Sequence, residues 1–382
     1  MHILYILDFY KPNLWWIEVL LDEIIFHFGK ENKVSVITWN FSADLLQKEI
    51  IWNITIYRVN AKNLISYVFQ AMKLWKKVIS DVDIIHANNF YSAIVGSKLA
   101  KKYNKKSVLH IHWFFWQLRN ELLEWNFLVK KLKVWKFQLL EKLNIYWNFD
   151  KYICVSKYVL DVARFYYGIW WEKLELVYNW LDYKKWLSYI DENKIQQIQK
   201  KYDLEDNFSL LFYWRIEKVK WWDLLLEVLS WLDFKLKVLF IVHWDLEKFN
   251  QKILELWWEK KENKIILNNV ELYILEKLPH SEIWNYIKSV SAVVFPSTTE
   301  SFGYVALETS ILNTPLIASN GWAIPEVAYW KVNFFDIKNK SSFQKAIEAT
   351  KQWVYEEVPE KDFDIKTTID KIEKVYKELV VK

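Results

Sequence analysis

The sequence predicts an α/β protein built from two successive doubly wound units with parallel sheets. Three observations predict it. Short apolar runs alternate with amphipathic helical stretches from the first residues onward, and that βαβα rhythm marks a parallel sheet covered on both faces. The cycle restarts after a connecting stretch near 183–205. A chain of 382 residues is long enough for two domains with substantial cores.

In the first half, HILYIL (2–7) reads as a strand and IEVLLDEIIFHF (17–28) as a helix. VSVIT (34–38), ITIYRV (54–59), DIIHA (83–87), SVLHIH (107–112), KYICVS (151–156) and LELVY (174–178) read as further strands, most of them separated by helical stretches. In the second half, FSLLFY (208–213), KVLFIV (237–242), KIILN (264–268), AVVFPS (292–297) and PLIAS (315–319) read as strands. Helices such as 222–231, 281–289 and 303–312 lie between them. Ligands of such sheets bind outside the carboxyl ends of the strands. With two units facing each other, the natural active site is the cleft between them.

The net charge of +5 is mild and does not imply nucleic acid. It is uneven, because residues 98–157 hold thirteen Lys/Arg against four Asp/Glu. The lone Cys154 cannot form an internal disulfide, which fits a reducing cytosol. Met1 to Leu7 reads as a strand rather than a charged-then-apolar leader. No uncharged apolar run reaches 18 residues, so no membrane span is expected.

Tryptophan and glycine are out of balance. The chain has 25 Trp and 5 Gly, whereas Gly is ordinarily ~7% of residues. Trp15-Trp16 lie between the first strand and the first helix, Trp180 lies in a turn before Asp182, and Trp214 and Trp221 flank Arg215 and Lys220. These places call for positive φ and close backbone approach, the properties of glycine. Two explanations stand: a glycine codon translated as Trp, most simply a reassigned UGA, or a truly Trp-rich protein. The first expects Gly at most of residues 15, 16, 113, 180, 214, 221, 244 and 322.

The strongest local motif is Pro296-Ser-Thr-Thr-Glu300-Ser301-Phe302-Gly303, followed by Glu308. It leaves an apolar strand and opens a helix, whose N-terminal amides suit a phosphate. Two carboxylates flanking that spot can accept hydrogen bonds from sugar hydroxyls. A capped helix with two solvated Glu fits the spacing equally well. Arg215 and Lys220, five apart across a strand-to-helix turn, can clamp a diphosphate; alone they read as an ordinary basic turn.

With Gly at the Trp positions, the chain resembles the group-1 (family 4) retaining glycosyltransferases of the GT-B fold. Glu300-Ser-Phe-Gly-Tyr-Val-Ala-Leu-Glu308 is similar to that family's Glu-x7-Glu motif. Trp214-Arg215…Lys220-Trp221-Trp222-Asp223 is similar to its Gly-Arg…Lys-Gly-x-Asp segment, and Asn13-Leu-Trp15-Trp16-Ile-Glu18 to its N-terminal Gly-Gly loop. Tyr178-Asn179-Trp180-Leu181-Asp182 resembles its Asn-Gly-Val-Asp turn, and Thr314 to Trp322 its Gly-Thr-Pro-Val-Ile stretch. Asn313 stands where the family has Gly, and Asn is the side chain best able to replace it. His243 departs from a Gly-rich loop.

The resemblance implies a GT-B architecture of two Rossmann-like domains: an acceptor-side domain over 1–183, a nucleotide-sugar-binding domain over 184–365, and a final helix, 366–380, returning to the first. It implies retaining transfer of a sugar from a nucleoside diphosphate-sugar to an acceptor hydroxyl. Arg215 and Lys220 would stabilise the leaving diphosphate, Glu308 would hold the ribose, and Glu300 with the Ser301–Gly303 backbone would hold the sugar. Trp214, Trp15 and Trp16 mark the donor's close-approach turns, and His112 lies near the reacting sugar. No cofactor, metal or nucleic acid is expected. Asp81-Val82-Asp83 precedes a strand, the wrong end for a ligand site in a parallel sheet. A GT-B epimerase shares the architecture, as does a glycan phosphorylase, for which no pyridoxal-binding motif is seen. A non-catalytic binding module follows if every Trp is genuine.

His110 and His112, at i and i+2, point to one face of a strand; a metal would need further ligands. His86 is expected near the same edge, and His2, His27 and His280 in structural roles. The segment 126–147 mixes Lys with Leu, Val, Phe and Trp. It reads either as a helix on an anionic bilayer or as a domain-surface helix. A cytoplasmic protein, peripheral on the inner membrane face, acting on a glycan or lipid-linked acceptor, would fit.

Overall fold

A computed structural model describes residues 1–11, 16–40, 42, 44–75, 79–114, 139, 142, 149–215, 221–243, 246–256, 258–261, 264–275 and 278–381. The chain divides into two compact units, Met1–Trp180 with Phe363–Lys382, and Leu181–Asp362.

The first unit is built on an eight-stranded sheet. Its strands are β1 (His2–Ile6), β2 (Lys33–Asn40), β3 (Lys48–Ile51), β4 (Ile54–Asn60), β5 (Ile84–Asn88), β6 (Lys106–Ile111), β7 (Lys151–Cys154) and β8 (Leu174–Leu176). The spatial order is β3-β4-β2-β1-β5-β6-β7-β8, and every pair is parallel except β3 against β4. β1 is buried at all its positions. It lies between β2 and β5, with Ile3 opposite both Val34 and Ile84. A strand covered on both faces needs a continuous apolar run rather than alternation, and HILYIL supplies it. Helices α1 (Trp16–Gly29), α2 (Leu64–Trp75), α3 (Asn89–Tyr103) and α4 (Lys157–Asp161) belong to this unit. α3 runs close over β5: a Cβ on Gly96 would stand 2.9 Å from the Ala87 methyl.

The second unit carries a nine-stranded sheet, β9 (Ser209–Arg215), β10 (Leu236–His243), β11 (Glu259–Lys261), β12 (Lys264–Leu267), β13 (Val270–Leu275), β14 (Ala292–Phe295), β15 (Leu316–Ser319), β16 (Trp330–Phe335) and β17 (Glu356–Val358). The order is β11-β12-β13-β10-β9-β14-β15-β16-β17. Its helices are α5 (Tyr183–Leu187), α6 (Glu192–Tyr202), α7 (Trp222–Leu229), α8 (Leu246–Glu255), α9 (His280–Ser289), α10 (Tyr304–Ile311), α11 (Ile324–Val327) and α12 (Lys340–Lys351). The run 264–268, expected as a strand of the parallel cycle, is instead antiparallel to β13. β10 pairs parallel with β9 on one side and with β13 on the other. Asn268, at φ 50, turns the chain between β12 and β13.

The last helix, α13 (Ile365–Val380), is capped by the Asp364 carboxylate, which accepts from Lys366 N at 2.7 Å. It packs on the first unit. The Tyr376 hydroxyl meets that of Tyr5 at 2.9 Å and bonds His86 Nδ1. His86 is therefore fully buried under this helix rather than at an edge as expected.

Candidate active site

In the second sheet, β9 continues to β10 on one side and has β14 on the other. That reversal is a topological switch point, where the carboxyl ends of neighbouring strands diverge and leave a crevice. Arg215 ends β9, and the loop 296–303 leaves β14 at the same place. The sequence motifs of the second unit thus converge on one sheet position.

Within the loop, the buried Ser297 hydroxyl donates to Glu300 Oε1 at 3.1 Å and accepts from Thr299 N at 3.4 Å. Ser319 of β15 donates its hydroxyl to the Ser297 carbonyl. Glu300 is thus fastened within the loop. Phe302 is buried and Ser301 half-buried. Gly303 takes φ 97 at the start of α10, and its carbonyl accepts from Ala306 N at 3.0 Å and Leu307 N at 3.2 Å. A Cβ here would find space at 3.8 Å from Ile324 and Phe295, so it is the backbone angle that calls for glycine. The helix presents its positive end to the loop.

Glu308, one turn further on, is 1% exposed. The Tyr213 hydroxyl donates to Oε2 at 2.7 Å, and His280 Nε2 lies 2.9 Å from Oε1. Burial, then the Glu308 charge, push the Tyr213 phenol well above its usual range, so it stays a donor. The bland reading of two solvated Glu therefore fails for Glu308. Tyr213 and His280 were not singled out from sequence for this site. Tyr213 could have been found, since it immediately precedes the Trp214-Arg215 pair on the same strand. His280 had no comparable signal, because it opens a helix far from the motif.

The side chains of Trp16, Trp214, Arg215 and His243, and residues Trp15, Lys220 and Trp244, lie outside the described parts. So does 126–147 except Leu139 and Lys142. Trp221 is described. It caps α7 at φ 46, and its indole Nε1 donates to Thr298 Oγ1 at 3.0 Å. Trp322 has φ 60 in the turn after β15, and Asn313 φ 52. Trp180, in contrast, is buried and donates Nε1 to Glu23 Oε2 at 2.9 Å.

The first sheet has its own switch point between β1 and β5. Asp8, just past β1, is buried and accepts from Ser92 N at 2.7 Å and Tyr91 N at 3.4 Å at the start of α3. Burial pushes its carboxyl up to about 7, and the charge of Glu18 acts in the same direction. His112 follows β6, with Nε2 3.3 Å from Asn88 Oδ1. Burial holds His112 down at about 3, so it is neutral at pH 7. His110 stacks on His112 at 4.2 Å with 23° between the rings, a packing arrangement rather than converging nitrogens.

The fold and these motifs define a glycosyltransferase of GT-B architecture. Residues 17–185 match the family described as Glycosyltransferase Family 4, and residues 194–363 that described as Glycosyl transferases group 1. The chain belongs to the group 1, family 4-like glycosyltransferases. It is 26% identical over 249 residues to a 41.2 kDa protein of the cps region of Klebsiella pneumoniae, covering 59% of this chain and 63% of that one. It is 25% identical over 276 residues to an uncharacterized glycosyltransferase of Methanocaldococcus jannaschii, covering 69% and 64%. The match thus spans less than two thirds of either relative. An O-antigen biosynthesis glycosyltransferase of Escherichia coli, WclY, is 26% identical over 281 residues, with 72% of each covered. Among solved structures, sucrose-phosphate synthase from Thermosynechococcus elongatus superposes with a TM-score of 0.73 at 14% identity, covering 100% of this chain and 99% of that one. Anabaena HepE in complex with UDP-glucose gives 0.67 at 16%, covering 99% and 100%.

Proposed function

We propose that this protein transfers a hexosyl group from a nucleoside diphosphate-sugar to an acceptor hydroxyl, with retention and without a metal ion. The observation that carries this reading is the switch point of the second unit. There the end of β9, the Glu300–Gly303 loop and the held Glu308 carboxylate meet. The binding of UDP-glucose by HepE supports a nucleotide-sugar donor.

In this reading Glu308 holds the ribose. Glu300 and the backbone of Ser301, Phe302 and Gly303 hold the sugar. Arg215 and Lys220 stabilise the negative charge on the departing diphosphate. The acceptor oxygen bonds to the anomeric carbon on the face the diphosphate leaves, and the diphosphate keeps the bonding electron pair and takes up the acceptor hydroxyl's proton. The acceptor hydroxyl enters from the first unit, near residues 13–18 and His112, while Trp15 and Trp16 mark positions where the donor approaches the backbone. The acceptor is a glycan or lipid-linked sugar of surface polysaccharide synthesis, made on the cytoplasmic side of a membrane. The O-antigen relative supports that class.

The active protein carries glycine where the sequence reads Trp at the left-handed turns. Nine described residues other than glycine have positive φ, and all are Asn, Asp or Trp: Trp52, Asn104, Asp203, Trp221, Asn268, Asn313, Trp322, Trp330 and Trp353. Asn and Asp visit this region, whereas a bulky side chain there is strained. Four of them follow helices in one motif, in which the next amide reaches back to close a six-residue loop. The bonds are Lys105 N to Ala100 O, Leu204 N to Gln199 O, Thr314 N to Thr309 O and Val354 N to Ala349 O. The residue before each donor takes the glycine position of that motif. Three are Asn or Asp, and the fourth is Trp353. At Trp221 an indole on Thr298 stands beside the donor loop; if Trp is genuine there, a non-catalytic binding module is the better reading.

Intact mass from the native host, set against the 46.7 kDa of the written sequence, tests the substitution. Agreement with the all-Trp mass would sink it. The native protein and a panel of nucleotide sugars test the activity, through acceptor-dependent release of nucleoside diphosphate. No turnover with any donor and acceptor pair would remove the transferase reading.

A further inference from the structure

Glu308 is anchored by two side chains to which the reading above gives no role. Tyr213 comes from β9 and His280 from the first turn of α9, while Glu308 itself sits on α10. Tyr213 donates to Oε2 at 2.7 Å, while His280 Nε2 stands at ion-pair distance, 2.9 Å, from Oε1, which accepts no hydrogen bond among the described residues. A buried carboxylate is costly unless it is paired and hydrogen-bonded, and a hydrogen bond on one oxygen and a close cation-capable ring on the other restrict the plane of the group. A carboxylate oxygen can accept more than one hydrogen bond. Glu308 held in this way can still receive hydroxyl groups. Tyr213 is buried, but His280 is 26% exposed. The outer end of the arrangement is therefore the imidazole.

We propose that His280 is a positioning residue for donor recognition: it holds Oε1 of Glu308 so that the carboxylate plane meets the two vicinal hydroxyls of the donor's ribose, with Tyr213 as the inner anchor. This rests on the assignment of Glu308 to the ribose. A uniform loss of stability would weaken every ligand alike. Loss of an oriented carboxylate weakens only ligands that carry the hydroxyls.

The test is calorimetric titration of the native protein with UDP, or with GDP or ADP if either binds more tightly, and with the 2′,3′-dideoxy counterpart. The parent should favour the ribose form. His280→Ala should weaken that form about tenfold, the loss of one close polar partner of a buried charged group, and leave the dideoxy form nearly unchanged. His280→Gln, whose amide nitrogen can reach the same oxygen, should restore most of the discrimination and guards against an Ala variant that does not fold. If the parent discriminates but His280→Ala weakens both ligands equally, or keeps the parent's preference, the positioning role is overturned while Glu308 keeps its own. If the parent shows no preference for the ribose form, Glu308 does not hold the ribose and the proposal falls with that assignment.

Discussion

At Glu308 the surroundings decide the chemistry. Its carboxylate lies inside the unit and keeps its place through Tyr213 and His280. Glu300, by contrast, accepts from the Ser297 hydroxyl of its own loop. Different roles follow, and different kinetics. Glu308→Ala should raise the donor KM about tenfold or more while kcat changes little, because a ribose contact is made equally in ground and transition states. Arg215→Ala and Lys220→Ala should instead lower kcat ~10²–10³-fold, the usual cost of removing one preorganised stabiliser of developing charge. Steady-state kinetics of nucleotide release with acceptor present reads both. If the two basic substitutions left kcat within a few-fold of the parent, the diphosphate assignment would be wrong. Added chelator should change turnover little, since no step in this scheme uses a metal.

The turns that join the elements carry their own evidence. Trp52 and Asn53 form the two-residue connection between β3 and β4, where positive φ at the first position suits Gly or Asn. Trp353 ends α12 and is 67% exposed, so its indole gains little from burial. In the Trp-bearing chain, Trp353→Gly should raise stability by about 1 kcal/mol, because it relieves the strain of a side chain in the left-handed region. Trp353→Ala should not, since a Cβ remains. Chemical denaturation of the three proteins checks this, and equal midpoints for Gly and Ala would remove the strain argument. The same elements show what the sequence made legible. Buried parallel strands such as HILYIL were readable because a strand covered on both faces has no polar positions. β13 was not, because Asn268-Asn269 folds two adjacent apolar runs into a hairpin and only the second enters the parallel sheet. At the site, the loop and Glu308 were legible as a motif. Of the two anchors, Tyr213 lay beside the Trp214-Arg215 motif, whereas His280 opens a helix on a third element and left no spacing to read.

Over the whole molecule, charge and burial set two further behaviours. No helix among the described residues is long and apolar enough to cross a membrane. The basic excess over 98–157 nonetheless suits an anionic surface, and flotation with anionic liposomes should carry the protein in a salt-sensitive way. Equal flotation with neutral liposomes would remove that role. Acid stability follows from the buried groups of the first unit. Burial holds His86 and His112 at about 3 in the folded chain, against an ordinary value of 6.5. Between those values the unfolded chain takes up protons that the folded chain refuses. Their contribution is complete above pH 6.5 and is lost as pH falls toward 3. Asp8 works in the opposite direction. Its carboxyl is near 7 when folded and 3.8 otherwise, so its contribution is complete below 3.8 and is lost as pH rises through 7. Over the shared window from about 4 to 6.5 the two trends oppose each other and flatten the profile. Asp8→Asn keeps a side-chain oxygen for Ser92 N but removes the titration. Its denaturation midpoint should therefore fall more steeply than the parent's as pH drops from 6.5 to 4. Parallel profiles for the two proteins would mean that Asp8 is already ionised in the folded chain.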